Sequence, residues 1–438
     1  MDITIITLII WVGFLVLMTT GMPVAFSMIV VGVAGYALLV SFQGMGNVAS
    51  LTYDALNTEL YVAIPLFVLM AQLLVISGLS ARLYQVMHKW MGGLSGGLAI
   101  GTTLVATVLG ATTGLVATAT ITMGMLAYPE MEKRGYDKTI SIGTVLSGGA
   151  LGLLIPPSLT MILIGNLIGL SVGKLFIAGL IPGLLCSFIF CLYAYVCCKI
   201  DPRKGPPLPL EERATWKEKF ACLPPVIPAA VIILVVLGGI WLGIFTATEA
   251  GGIGAAASLA YTAASGNLNW QKLKEAGNQT IKVTAMVLWI TIGGVLFTSL
   301  NSIAGTDEFL SKMMAGWTTS PGVMLIILMV ISFILGTFMD LLAQAIVSLP
   351  IMMPIVIHLN IDPLFFGFCF AMSLIIGTLS PPYGYTLFYF AGLGHKNVTM
   401  KHIYKAGWVY TGLVTIVLVL CILFPQIALW LPEKLIRW

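Results

Sequence analysis

Charged side chains are scarce in this sequence: of its 438 residues, 9% are charged and 59% are hydrophobic. A soluble core does not need so many apolar residues, and the mean hydropathy is +1.02. The apolar residues occur in repeated runs of roughly 20, a length that fits membrane-spanning helices rather than barrel strands. The sequence therefore predicts an all-α polytopic membrane protein.

Several enzyme signatures are also missing from the sequence. It contains no phosphate-binding GxxxxGK[ST] loop, no zinc-binding HExxH pair and no paired Asp-rich motif of the kind a membrane prenyl-transfer enzyme needs. Its seven cysteines form no metal-spaced cluster, so we interpret them as buried thiols. The sequence thus indicates that the chain is not an enzyme and does not drive transport with ATP by itself.

Two related Pro-Pro motifs interrupt long apolar runs. The first lies in Gly152–Ser158 and the second in Gly377–Tyr383. Proline lacks a backbone donor and disfavours helical geometry in the residue before it, so each run is predicted to be a broken helix, over 139–170 and 363–393. Irregular backbone at membrane depth persists only where protein covers it or a cavity solvates it.

Two further apolar stretches, 96–126 and 321–346, are too short to cross a membrane twice and are interrupted in the middle. We interpret each as a re-entrant hairpin that returns to its own side of the membrane. The expected tips are Gly110–Gly114 and Gly336–Asp340.

The two halves of the chain repeat. Gly336 follows Gly110 by 226 residues, and five other matching pairs are 225 apart: Gly152 and Gly377, Pro156 and Pro381, Asp137 and Asp362, Pro129 and Pro354, Tyr36 and Tyr261. Each half is predicted to cross the membrane five times. Because five is an odd number, the second half is inverted relative to the first. We therefore divide the chain into a first inverted repeat (1–198), a linker (199–224) and a second inverted repeat (225–438), the plan of many secondary transporters.

Basic residues orient this layout. The linker is rich in Lys, Arg and Pro, and with the linker in the cytoplasm all but four of the 21 Lys and Arg residues face inward. The four exceptions are Lys174, Lys312, Lys434 and Arg437. The positive-inside rule then places both chain ends outside, the first hairpin on the cytoplasmic side and the second on the outer side.

The tips and breaks are the candidate binding sites. Carbonyls at half-helix C-termini, together with hydroxyls, suit sodium, whereas half-helix N-termini suit an anion. The candidate sodium ligands are Thr113, Gly152, Ile155, Ser158, Gly336, Asp340, Gly377, Thr378 and Ser380. The candidate substrate-binding residues are Thr112, Thr113, Gly114, Ser158, Thr337, Asp340 and Tyr383. The alternative is that these small residues only allow close helix packing.

Two acids lie within long apolar stretches. Asp340 is interpreted either as support for a sodium site or as a structural hydrogen-bond acceptor at the hairpin tip. Glu249 follows Thr246 by three residues, the spacing of a helix capping box. Between these acids, residues 268–283 resemble an amphipathic helix lying at the membrane surface.

The motifs together resemble the large membrane subunit of tripartite ATP-independent periplasmic (TRAP) transporters. The resemblance covers nearly the whole chain and is carried by Gly110–Gly114, Tyr128–Asp137, Gly152–Ser158, Phe176–Gly183, Thr246–Ala250, Gly336-x-x-x-Asp340 and Ser380–Gly384. Thr112 and Thr113 depart from the family's frequent serines, and Ser380 and Tyr383 around the second Pro-Pro depart from its commoner pattern.

This resemblance implies the ion-transporter superfamily fold and sodium-coupled, elevator-type import of organic acid anions, carboxylates or sulfonates, across the bacterial inner membrane. It implies a small four-helix membrane subunit and a soluble periplasmic binding protein as partners, with Na⁺ as the coupling ion bound at the tips and breaks. Because the sequence begins directly at its first predicted span, we expect the small subunit to be a separate polypeptide.

Three other functions are compatible with a membrane chain. A stand-alone sodium/anion symporter of the same superfamily would need no binding protein. A lipid-modifying enzyme would need clustered acids or histidines at the interface, which the sequence lacks. A passive channel would show no strict sodium dependence.

The charge distribution generates a topology test. With the native cysteines replaced, Thr215→Cys in the linker should resist an impermeant thiol reagent applied to intact cells, whereas Asn57→Cys in the acidic loop 41–59 should react. Labelling of Thr215→Cys from outside would refute the orientation.

Overall fold

The computed structural model describes residues 3–40, 45–306, 309, 313, 316–337 and 339–435. Phe338 of the second tip, and Lys312 and Arg437 of the charge count, lie outside the described residues. Every regular element among the described residues is helical, which confirms the all-α prediction.

Among the described residues, the structure gives the bounds of eleven α-helices before the linker and of ten within or after it. The first set is α1 (Ile3–Thr19), α2 (Val24–Leu39), α3 (Met45–Leu56), α4 (Leu60–Ile76), α5 (Leu79–Met91), α6 (Gly97–Thr113), α7 (Val116–Leu126), α8 (Tyr128–Lys133), α9 (Lys138–Ala150), α10 (Leu159–Ile168) and α11 (Val172–Ile200). The second set is α12 (Trp216–Ala221), α13 (Ile227–Trp241), α14 (Ala247–Ala264), α15 (Trp270–Ile303), α16 (Pro321–Gly336), α17 (Leu341–His358), α18 (Pro363–Leu379), α19 (Tyr385–Ala391), α20 (Met400–Leu423) and α21 (Gln426–Leu435).

Four of these helices, α11, α15, α17 and α20, are long and apolar enough to cross a membrane by themselves. The count is five if α3 and α4, which meet at a 51° bend, form one broken span. Seven further apolar helices of 10–17 residues accompany them. The described residues thus have the helical composition of a polytopic membrane protein.

Helix bounds recur between the two halves. A shift of 225 residues carries the starts of α3, α7 and α9 onto the starts of α15, α17 and α18: Met45 onto Trp270, Val116 onto Leu341, and Lys138 onto Pro363. The long helix α17 thus corresponds to α7 and α8 together.

Matching aspartates begin the two broken helices. The Asp137 carboxylate accepts hydrogen bonds from the backbone N–H groups of Thr139 (2.8 Å) and Ile140 (3.2 Å) at the start of α9. The Asp362 carboxylate does the same for Leu364 (2.7 Å) and Phe365 (3.0 Å) at the start of α18. These caps satisfy amide groups that the helix leaves unpaired, which explains why the repeat retains an acid here.

The structure differs from the sequence-based layout in three places. The expected surface helix at 268–283 and the following span form one continuous helix, α15, because no proline interrupts them. The loop 41–59 contains the helix α3, and the apolar run 406–431, which the sequence predicts to be the last crossing, is divided between α20 and α21. The capping box between Thr246 and Glu249 is confirmed at the start of α14.

The helices pack in two groups. In one group α2 packs on α15, and α4 packs on α14 and α15. In the other, α6, α7 and α9 pack together, α10 lies on α17, α16 lies on α18, and α20 contacts both α9 and α18. The groups meet where α15 contacts α17 and where α4 contacts α6 and α10.

The linker is fastened to both ends of the α6–α9 segment. The Gly96 N–H donates to the Gly205 carbonyl (2.9 Å), and the Asp137 N–H donates to the Lys204 carbonyl (2.8 Å). Arg134 forms an ion pair with Glu212 of the linker (2.8 Å). The linker therefore holds the start of α6 near the start of α9.

The caps generate a stability prediction. Asp362→Ala should lower the free energy of unfolding by about 1 kcal/mol because α18 loses two side-chain-to-amide bonds, whereas Asp362→Asn should retain most of the stability since asparagine caps as well as aspartate. Denaturant titration of the purified protein measures this change. Asp54→Ala, at an exposed position of α3, is the matched control; equal loss in Asp54→Ala and Asp362→Ala would contradict the capping role.

Candidate functional site

The first tip and first break meet through two glycines, in a contact we call the first crossing. A Cβ built on Gly110 would lie 2.8 Å from the Cα of Gly152, and a Cβ on Gly152 would lie 2.9 Å from the Cα of Gly110. Such distances leave no room for a side chain. The last turn of α6 therefore contacts the 3₁₀ turn that directly follows α9, backbone to backbone.

The first tip is a tight reversal between α6 and α7. Gly114 has φ +58°, a left-handed conformation that glycine adopts without strain. The hydroxyls of Thr112 and Thr113 each donate to the Leu109 carbonyl at 2.8 Å. Both threonines are buried, and they close the C-terminal turn of α6.

The first break separates α9 from α10. After a short 3₁₀ turn at Leu151–Leu153, the cis Pro156–Pro157 bond is followed by Ser158. The Ser158 hydroxyl donates to the Leu153 carbonyl (2.7 Å) and accepts from the Met161 N–H (3.4 Å), which caps α10. The Ile155 N–H donates to the Leu151 carbonyl (2.9 Å), so the irregular backbone remains partly hydrogen-bonded.

The second half builds the same contact, the second crossing. A Cβ on Gly377 would lie 3.2 Å from the Cα of Gly336. Gly336 ends α16, and Gly377 lies in the last turn of α18. Each crossing therefore joins the C-terminal ends of two helices.

The second break follows the same plan with different side chains. The Pro381–Pro382 bond is cis, and the Thr378 carbonyl accepts a hydrogen bond from the Thr386 hydroxyl at 2.7 Å. Thr378 and Ser380 are buried, whereas Tyr383 is 55% exposed and stacks on Phe388.

Asp340 ends the second tip and caps α17. Its carboxylate accepts a hydrogen bond from the Leu342 N–H at 3.1 Å. The neighbouring Thr337 hydroxyl donates to the Ile334 carbonyl at 2.7 Å. Asp340 therefore has a structural role at the tip.

A cavity of about 90 Å³ lies between the two tips. The N-terminal ends of four helices line it: Leu115 to Ala117 of α7, Leu159 and Thr160 of α10, Asp340 to Leu342 of α17, and Tyr385 of α19. Gly114, Leu153, Val283, Met286, Val287 and Tyr389 complete the wall. Among these residues Asp340 is the one with a charged side chain, and none is basic.

The cavity and the crossings differ in the partial charge of the helix ends that form them. Helix N-termini carry partial positive charge and free amide donors, whereas C-termini carry partial negative charge and free carbonyls. The cavity wall therefore favours an anion, and the two crossings favour cations.

The predicted substrate residues do not all line this cavity. Gly114 and Asp340 do, whereas Thr112, Thr113, Ser158, Thr337 and Tyr383 are not part of its wall. The sequence analysis missed Tyr385 and Tyr389, which lie on the cavity side of α19. Their spacing of four residues on a helix was the available signal, since it places both rings on one face.

The described residues contain no group of three or more His, Cys, Asp or Glu arranged to hold a metal ion. The polar atoms near the crossings are instead backbone carbonyls, hydroxyls and the side-chain amide of Gln344. A donor set of neutral oxygens fits a monovalent cation such as Na⁺.

The chain also matches known proteins. Residues 11–427 match the family described as tripartite ATP-independent periplasmic transporter, DctM component. The C4-dicarboxylate TRAP transporter large permease protein DctM of Vibrio cholerae is 25% identical over 96% of each chain. The sialic acid TRAP transporter large permease protein SiaM of the same species is 28% identical over 96% of this chain and 97% of that protein.

A longer relative is the isethionate TRAP transporter permease protein DctMQ of Oleidesulfovibrio alaskensis, 30% identical over 88% of this chain. This chain spans only 60% of that relative's length.

Two solved structures share the fold at low sequence identity. The YdaH transporter of Alcanivorax borkumensis has a TM-score of 0.60 and 14% identity, with 90% of each chain covered. MtrF of Neisseria gonorrhoeae has a TM-score of 0.57 and 11% identity, covering 90% of this chain and 85% of that one. The family match over most of the chain confirms the resemblance found in the sequence: this membrane-embedded permease belongs to the DctM family, the large component of tripartite ATP-independent periplasmic transporters.

Proposed function

We propose that this chain imports a small organic acid anion across the bacterial inner membrane, coupled to Na⁺, by an elevator mechanism. The observation that carries the proposal is the arrangement of helix ends, with four N-termini around one cavity and two pairs of C-termini at the crossings. This arrangement suits one anion and two cations.

The absence of a basic residue from the cavity wall supports sodium coupling. Burying an organic anion without a compensating charge costs several kcal/mol or more, and the carboxylate of Asp340 adds repulsion. Amide donors and helix ends offset only part of this cost. Sodium ions at the crossings supply the remaining positive charge, so anion and sodium should bind with positive coupling, each tightening the other by the same factor.

The remaining candidate ligands follow from the same geometry. Thr113, Gly152, Ile155 and Ser158 belong to the first tip and break, and Gly336, Gly377, Thr378 and Ser380 belong to the second tip and break. When bound, Na⁺ supplies positive charge at these points; the chain's own contribution is to fix the oxygens. Asp340 contributes by capping α17.

The two packing groups support an elevator mechanism. The group built on α6, α7, α9, α10 and α16–α20 contains both crossings and the tips, so it is the proposed moving unit. The group built on α2, α4, α14 and α15 is the proposed scaffold. The helix starts that recur at a 225-residue offset agree with an inverted repeat, in which each half supplies one hairpin and one broken helix.

The family supports two partners, a small membrane subunit and a periplasmic binding protein that delivers the substrate. The relatives' names suggest the substrate class, since they specify isethionate, C4-dicarboxylates and sialic acid, and a further relative specifies ectoine. A stand-alone sodium/anion symporter is the second candidate. YdaH and MtrF share the fold, and neither is described as a component of a tripartite transporter.

Uptake into proteoliposomes tests the proposal. The chain, its small subunit and its binding protein should accumulate labelled isethionate, succinate, sialic acid or ectoine only when sodium is higher outside than inside. Equal uptake with choline in place of sodium would contradict sodium coupling. Full sodium-driven uptake without the binding protein would instead favour the stand-alone symporter.

Glycine variants in the same assay test the crossings. Gly152→Ala should abolish most sodium-driven uptake because the added methyl group would lie 2.9 Å from the Cα of Gly110. Gly377→Ala should reduce uptake less, because its methyl group would lie 3.2 Å from the Cα of Gly336, a contact that a small shift relieves. Gly412→Ala, at a position with no atom within 4 Å of the added Cβ, is the matched control and should transport normally. Normal uptake by both crossing variants would show that backbone contact is not needed.

A further inference from the structure

One buried side-chain oxygen at the second crossing has no partner. Gln344 lies in the first turn of α17, is fully buried, and its Oε1 accepts no hydrogen bond from the described residues. A Cβ built on Gly336 would lie 2.8 Å from this oxygen. Oε1 is therefore directed at the point where α16 meets α18.

The other half of the amide fixes this orientation. The Gln344 Nε2 donates to the Ser332 carbonyl at 2.5 Å and also lies 3.0 Å from the Ser332 hydroxyl. A carbonyl can only accept, so the NH₂ group must face Ser332 and the oxygen must face the glycines. The Ser332 hydroxyl is held in turn by that of Ser373, 2.7 Å away.

An unpaired amide oxygen inside a membrane protein is unfavourable unless something binds it. Here it lies beside two helix C-termini, whose carbonyls already favour a cation. A neutral amide oxygen adds a further ligand without adding net charge. The crossing thus combines a negative field with an oxygen that is held in place and has no donor.

We propose that Gln344 is a sodium ligand, supplying Oε1 to the cation at the second crossing. The inference rests on the proposed sodium coupling and adds to it a residue outside the Pro-Pro and tip motifs. The position 225 residues earlier is Ala119, whose side chain has no oxygen. The two sodium sites are therefore unequal, and only the second depends on a side-chain amide.

The dependence of thermal stability on sodium tests whether Gln344 binds the cation, without measuring transport. A ligand that binds only the folded state stabilises it by RT ln(1 + L/Kd), where L is the free sodium concentration. The rise in unfolding temperature with sodium concentration therefore yields the dissociation constant for sodium, which we call the sodium midpoint because half of the sites are occupied there. The full chain in lipid nanodiscs, with any subunit that co-purifies, would be titrated with NaCl while choline chloride keeps the ionic strength constant.

Gln344→Leu removes the oxygen and should raise the sodium midpoint at least about tenfold. Gln344→Glu keeps an oxygen and adds a negative charge while losing the NH₂ donor, so its sodium midpoint should fall below that of the wild type. Gln85→Leu and Gln85→Glu, at an exposed position of α5, are the matched controls and should leave the midpoint unchanged.

The variants separate a ligand from a structural residue. An unchanged sodium midpoint in Gln344→Leu would overturn the proposal, as would a midpoint raised equally in Gln344→Glu, which would assign the effect to the lost bond with Ser332. If Gln344→Leu does not fold, Gln344→Glu decides by itself: a lowered sodium midpoint supports the proposal, and an unchanged or raised midpoint overturns it. If the wild-type protein shows neither sodium-dependent stabilisation nor sodium-driven uptake, the proposed sodium coupling itself is wrong, and the role of Gln344 as a ligand is wrong with it.

Discussion

Backbone contact between glycines at the two crossings is the constraint on which the site depends. A Cβ on Gly110 or Gly152 would lie less than 3.0 Å from the other residue's backbone, and a Cβ on Gly377 would lie 3.2 Å from the Cα of Gly336. Each contact brings two helix C-termini together and, in consequence, turns the N-termini of the helices that follow toward one cavity. One packing restriction, repeated once, thus creates three sites of alternating charge preference.

Electrostatics then connects the three sites. The cavity has no basic side chain, and Asp340 already occupies the amides of α17, so an anion bound there depends on charge from elsewhere. In the proposed function, cations at the crossings supply this charge, and charge interactions are strong in a medium of low dielectric constant. In this account the coupling of anion to sodium is a property of the geometry and needs no dedicated ion pair.

Backbone chemistry made much of this arrangement predictable from the sequence. Gly, Pro and Asp act locally, so the breaks, the tips, the 225-residue offset and the capping box at Thr246 could be derived from residue type and spacing. The side chains around the cavity could not. Tyr385, Tyr389 and Gln344 reach the site only because α19 and α17 fold against other segments. The continuity of α15 was also missed, since its amphipathic first part resembles a surface helix.

Equilibrium binding of radioactive sodium to the purified protein tests the central claim most directly. The account predicts saturation at two sodium ions per chain, with tighter binding when the transported anion is present, because the sites share one electrostatic balance. Saturation at fewer than two ions, or sodium binding that the anion leaves unchanged, would contradict it.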